Sequence, residues 1–112
     1  MKREITAVIE AQLAAFRAND YRKAYTFAAR EIQGMFDPSD FEIMVKQGYP
    51  PIAQSTSASF GLMFDTGDEA VVNVRIESGQ RTGTEYQYLL KKQNGQWKIT
   101  GVSESKRGGL TV

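Results

Sequence analysis

Residues 84–103 read TEYQYLLKKQNGQWKITGVS, and this stretch decides the fold. Apolar and polar residues alternate on both sides of Asn94-Gly95, the pair preferred in a two-residue type I′ hairpin whose central residues need positive φ. With that turn in place, Leu90 lies opposite Ile99, Lys92 opposite Trp97 and Tyr88 opposite Gly101. The apolar faces of the two strands then coincide, and a tyrosine ring covers a glycine. The expected strands are Thr84–Lys92, with Tyr86, Tyr88 and Leu90 facing inward, and Gln96–Ser103, with Trp97 and Ile99.

Upstream, the same period of two recurs twice. Ser55–Phe64 places Ala58, Phe60, Leu62 and Phe64 on one face, and Glu69–Glu77 places Ala70, Val72, Val74 and Ile76 on one face. These two faces match only if the connecting loop has an odd length, for instance Thr66-Gly67-Asp68 with a left-handed glycine. Four consecutive strands joined by short turns make an antiparallel meander.

Before residue 52 the period changes to that of a helix. Ile5, Val8, Ile9, Leu13 and Phe16 form a stripe on a helix from about Arg3 to Ala18. Asn19-Asp20 closes it, and Asp20 caps the next helix, which carries Tyr21, Ala24, Tyr25 and Ala28 on one face. A shorter helical piece follows at Ile32–Phe36. In DPSDFEIMVKQG (residues 37–48), Asp37 is an N-cap, Pro38 fits the first helical position and Asp40 lies near the positive end of the dipole. Phe41, Met44 and Val45 supply its buried face. Gly48 is expected to end this helix in the left-handed conformation, with Tyr49 folded back as C″ and the prolines of MVKQGYPPI (44–52) preventing resumption.

Helices first and an antiparallel meander second give an α+β domain, its N-terminal helices packed on one face of a curved four-stranded sheet. A single domain is expected over 1–104, the helical half at about 3–48 and the sheet half at about 55–103. The tail 105–112, with Gly108-Gly109, carries no patterned core residue.

Composition removes several functions. The 112 residues contain no Cys and no His, which excludes disulfides, thiolate chemistry and histidine as general base or metal ligand. The 13 acidic residues are scattered and form no D-x-D-x-D-G calcium loop. Ser55, Ser57 and Ser59 have no histidine partner for a triad. Gly108-Gly109 lacks the strand and helix of a phosphate loop. Net charge is +1 with both signs mixed, and the basic pairs Lys2-Arg3, Arg22-Lys23, Lys91-Lys92 and Lys106-Arg107 extend into no stripe, so no nucleic-acid partner is expected. Neither a signal peptide nor a membrane span is legible, and the sequence as it stands reads as cytoplasmic. No cofactor is implied.

The order of elements resembles the nuclear transport factor 2-like, or cystatin-like, superfamily. More narrowly, AQLAAFRANDYRKAYTFAAREIQGMF (11–36) followed by FEIMVKQGYPPI (41–52) resembles an uncharacterised bacterial family, domain of unknown function 4864. The resemblance rests on Gln12, Phe16, Asp20, Ala24, Phe27-Ala28, Ile32, Phe36, Phe41, Met44-Val45 and Gly48-Tyr49-Pro50. It covers residues 5 to about 52, and the strands match in pattern alone. Arg30 stands where that family usually carries a proline. The resemblance implies a sheet wrapped as a cone around the helices. It also implies frequent dimers, a cone used in some members as ligand pocket or active site, and a periplasmic origin wherever an export signal has been trimmed.

In catalytic members of this fold class the cone holds an Asp, His or Tyr. The expected inner face here holds no charged residue. Tyr86 and Tyr88 on the sheet, with Tyr25 and Tyr49 from the helices and Trp97, are therefore the pocket candidates. Buried tyrosine more commonly packs and makes one hydrogen bond than acts as an acid, and no catalytic residue is assigned. On the outer face, Met63, Val71, Leu89 and Val102 stand among Asn73, Arg75, Gln87 and Thr100, a pattern expected of a homodimer interface. The leading expectation is a non-catalytic binding or accessory domain that takes a small apolar ligand. The rivals are a small isomerase or hydrolase using tyrosine as acid, and a module docking another protein through the sheet.

Overall fold

The computed structural model describes residues 2–79 and 83–105. The basic pair Lys106-Arg107, the Gly108-Gly109 run and the rest of the tail beyond Ser105 lie outside them. Helices α1 (Lys2–Arg17), α2 (Tyr21–Thr26), α3 (Arg30–Met35), α4 (Pro38–Gly48) and α5 (Pro50–Ala53) come first. Strands β1 (Ser55–Asp65), β2 (Glu69–Ser78), β3 (Thr84–Gln93) and β4 (Gln96–Glu104) follow. The strands pair in sequence order in one antiparallel sheet, curved and unclosed. The α+β expectation holds.

α1 lies against both edge strands, β1 and β4, so it spans the concave face. Ile5, Ile9 and Leu13 are wholly buried there and face Val72, Val74, Ile76, Tyr88 and Leu90 in one core. Each such aliphatic side chain contributes about 1.5–3 kcal/mol by leaving water. α1 ends as Asn19 takes a positive φ of 58°, while the Asp20 N–H bonds Ala15 O at 2.8 Å and the Asn19 N–H bonds Phe16 O at 2.9 Å. That closure satisfies two carbonyls of the last turn. Asp20 then caps α2, accepting from the Lys23 N–H at 3.1 Å, and Asp37 caps α4, accepting from the Asp40 N–H at 2.8 Å.

α2 stops at Thr26, short of Ala28. The three residues after it leave the helix to pair with β4: Ile99 N–H donates to Phe27 O at 2.9 Å and Ala29 N–H to Ile99 O at 2.8 Å. The break before α3 is made by this pairing, without the proline that Arg30 replaces. Gly48 does not turn left-handed. Tyr49 ends α4 instead with φ −137° and ψ 56°, outside the helical region that a following proline disfavours, and Pro50-Pro51 open a new turn, α5. The prolines begin a helix rather than forbidding one, because the first turn needs no N–H from them.

Parity in the sheet is resolved differently from expectation. Asn94 and Gly95 have φ of 52° and 77°, as a type I′ turn requires, and Leu90 pairs with Ile99 and Lys92 with Trp97. A bulge at Thr100 then shifts the register, so Leu89 opposes Gly101 and Tyr88 opposes Val102. In the first hairpin Asp65 pairs with Ala70 and Thr66 N–H bonds Glu69 O, an even closure around Gly67-Asp68. The odd residue that the faces require sits within β1, at a bulge between Phe60 and Met63. Ala58 and Phe60 therefore face the core as expected. Met63, pairing with Val72, turns inward, while Leu62 and Phe64 turn outward and are 69% and 71% exposed. Val102 also turns to the helix side and packs on the core.

Candidate functional site

A cleft of about 310 Å³ opens between the helices and the second hairpin. α1 contributes Gln12 and Phe16, and α4 contributes Phe41, Met44 and Val45. Ile32 and Phe36 close one side, Tyr49 and Ile52 another. The floor is Tyr88 with Ile99, Gly101 and Val102. Among the described residues that line it, none carries a charge.

Tyr49 proves to be both corner and wall. Its N–H donates to Val45 O at 2.9 Å, its carbonyl accepts from Ile52 and Ala53 at 3.0 Å, and its hydroxyl donates to Val102 O at 2.9 Å. That last bond ties the α4–α5 corner to β4 across the cleft. Tyr49→Phe is expected to cost about 0.5–1.5 kcal/mol, the net value of one hydrogen bond. Thermal unfolding checks this, and an unchanged midpoint would mean the Val102 carbonyl is equally well served by water.

Tyr88 is wholly buried, and its hydroxyl finds no hydrogen-bond partner among the described residues. Burial drives its phenol well above the ordinary tyrosine value, with Tyr86 and Tyr49 nearby adding to the rise. The group thus keeps its proton throughout the physiological range. Tyr86 is buried beside Tyr49, ring centroids 6.2 Å apart, but does not line the cleft. Tyr25 fastens the α2–α3 corner, its hydroxyl donating to Phe36 O at 2.6 Å. Trp97 is buried beneath the Lys92 ammonium, 5.6 Å from the ring centroid, and stands apart from the cleft. Of the five aromatic candidates, then, Tyr49 and Tyr88 meet in one site, while Tyr25, Tyr86 and Trp97 belong to its supports.

Gln12 was not among those candidates. It lies on the buried stripe of α1, three residues after Ile9 and four before Phe16, and its amide nitrogen donates to Ala24 O at 3.2 Å. No described hydrogen bond uses its side-chain oxygen. A polar residue inside an apolar stripe was the signal that could have found it, since burying an amide is costly without a partner.

On the opposite face of the sheet, Phe64, Val71 and Leu89 pair successively across β1, β2 and β3, ending at Gly101 on β4. Of the expected outer set, Val71 and Leu89 stand here, whereas the two bulges carry Met63 and Val102 to the core side. Phe64 and Leu62 take their places.

Fold and cleft together define a small α+β domain with an uncharged, apolar cavity between its helices and its sheet. The chain belongs to the family described as Domain of unknown function (DUF4864), whose model matches residues 1–112. A search of curated proteins finds no match. Among solved structures, the chain is similar to a SEC-C motif containing protein from Rhodopseudomonas palustris, determined in solution, with a TM-score of 0.65 and 14% identity over 89% of this chain and 77% of that one. At that identity the likeness speaks for the fold alone. Among the described residues no helix is long and apolar enough to cross a membrane.

Proposed function

We propose that this chain is a non-catalytic binding or accessory domain of the nuclear transport factor 2-like type, taking a small apolar molecule in the cleft between helices and sheet. The observation that carries this reading is the uncharged, apolar cavity between the helices and the second hairpin, floored by Tyr88, Ile99, Gly101 and Val102. Cavities of roughly 300–1,000 Å³ with few convergent polar groups are the usual form of small-molecule sites. Binding is favoured over catalysis because no carboxylate, lysine or arginine lines the cleft to exchange a proton. A tyrosine displaced far above neutrality is also a poor general acid. Native mass spectrometry of gently purified protein tests the proposal, with a discrete extra mass expected on the chain. Protein that stays empty, and gains no mass when offered small apolar compounds, would overturn it.

A second reading concerns assembly, and the outer row of exposed Phe64, half-buried Val71 and exposed Leu89 favours it. We infer a homodimer through the outer sheet face, because contiguous exposed apolar surface commonly marks an interface. The same spectra report the oligomeric state. Dimer is expected for the wild type and monomer for Phe64→Asp/Leu89→Asp, and a wild-type monomer at micromolar concentration would refute the inference.

A further inference from the structure

Resting on the binding reading above, we propose that Gln12 determines the specificity of the cleft, its side-chain oxygen accepting a hydrogen bond from a hydroxyl or amide N–H carried by an otherwise apolar molecule. The inference stands on where the two ends of one carboxamide go.

Gln12 lines the cleft from α1 and is 5% exposed. One end of its amide is committed: Nε2 donates to Ala24 O at 3.2 Å, in the last turn of α2. A backbone carbonyl only accepts, so the nitrogen is the end that faces it and the oxygen is the end left over. That oxygen accepts no hydrogen bond among the described residues, yet it is not sealed. The described side-chain polar atoms that are both enclosed and unpartnered are Thr84 Oγ1, Tyr88 Oη and Trp97 Nε1, and Gln12 Oε1 does not stand with them. An atom neither bonded nor enclosed is within reach of a ligand. Ile9 and Phe16, one turn before and after Gln12 on the same stripe of α1, are buried, so the surface that Gln12 keeps is the surface it gives to the cleft.

The other two polar side chains of the lining are otherwise engaged. The Tyr49 hydroxyl spends its proton on Val102 O, and the Tyr88 hydroxyl is enclosed. Solvent reaching the cleft can serve the Gln12 oxygen, and a ligand that expels solvent must replace that bond or leave an acceptor unsatisfied. A hydrocarbon cannot replace it, and an ether meets it lone pair to lone pair. A hydroxyl or N–H can. Sites that hydrogen-bond such a group reject the analogue lacking it far more strongly than apolar pockets reject a missing methylene.

Phenol, toluene and anisole present a donor, a hydrocarbon and an acceptor on one ring. Each is titrated into the full chain while the backbone amides of Ile52, Gly101 and Val102 are followed by NMR. Gln12→Met keeps the length of the side chain and removes both polar ends. Phenol is expected to bind saturably, and Gln12→Met to weaken it about five- to tenfold, the value of one hydrogen bond, with toluene and anisole changed by less than about twofold. Loss of the Ala24 bond alone would act on all three probes alike. A second readout needs no variant: in the wild type, the phenol protons ortho to the hydroxyl should show nuclear Overhauser contacts to the Gln12 side-chain amide, and the para proton none. If Gln12→Met leaves phenol unaltered or weakens all three probes alike, or if the para proton makes the contact, the inference falls while the cleft remains a binding site. If none of the three moves the cleft amides of the wild type, the binding reading falls with it.

Discussion

Phe41→Ala is expected to be the most destabilising single truncation in the helical half, costing about 3–5 kcal/mol. Phe41 is buried on α4 between two rings carried by other helices. Its centroid lies 6.1 Å from that of Phe16 on α1, nearly parallel, and 5.4 Å from that of Tyr25 on α2, edge to face. Such pairs add about 0.5–1.5 kcal/mol beyond the area they bury. The neighbours cannot close over the missing ring. Tyr25 is held by its bond to Phe36 O, and Phe16 lies in the last turn of α1, whose end is fixed by the Asn19-Asp20 closure. The space left would open into the cleft. With a total stability of roughly 5–15 kcal/mol, this loss is a large share. Urea unfolding should show the midpoint falling by roughly 2 M at a slope near 2 kcal/mol per molar. Ile43→Ala, on the exposed side of the same helix, should move it by less than about 0.5 kcal/mol. A small shift for Phe41→Ala would mean that the aromatic cluster does not hold α4 to the domain.

The second large effect has the opposite sign. Tyr88→Phe is expected to stabilise the free protein by about 1–3 kcal/mol, because it deletes a buried hydroxyl that lacks a partner and keeps the ring that packs. For a domain near this size each kilocalorie shifts the melting temperature by about 4–8 °C. A lower melting temperature would show that the hydroxyl is satisfied in solution. The pH dependence supplies an independent reading. The folded phenol of Tyr88 titrates above the unfolded value of about 10. Above pH 10 the unfolded chain therefore loses a proton that the folded chain retains, the folded state binds more protons, and stability falls as pH rises through that window. One such group gives a slope of about 1.4 kcal/mol per pH unit. Tyr88→Phe removes it, so the advantage of the variant should widen above pH 10. A shallower slope should remain from Tyr21, whose phenol is also raised by burial despite the opposing pull of Lys46.

The cleft was legible in outline only. Tyr49 and Tyr88 could be named because the phase of β3 and the Gly48-Tyr49-Pro50 corner are local signals. Tyr25 and Trp97 are aromatics at half-buried and buried positions too, yet face other elements, and nothing in the sequence separates the two cases. Val102 enters the site because Thr100 bulges, and a bulge leaves no local mark when hydrophobic residues occur on both faces.

The sequence by itself determined what depends on a few neighbouring residues. Asp20 and Asp37 cap helices, Asn94-Gly95 makes the hairpin, the stripe from Ile5 to Phe16 makes α1, and alternation makes four antiparallel strands. It also determined that one odd residue must be absorbed between the first two strands. Where that residue goes was decided by tertiary structure. A loop of three and a bulge at Gly61-Leu62 satisfy the same alternation, and the choice rests on how β1 curves against β2 and α1. That choice sends Met63 into the core and Leu62 and Phe64 into solvent, and with the bulge at Thr100 it sets both the cleft floor and the outer apolar row. Local preference acts through backbone sterics over four or five positions. Register across the sheet is settled by burial summed over strands far apart in the chain, which no short stretch of sequence contains.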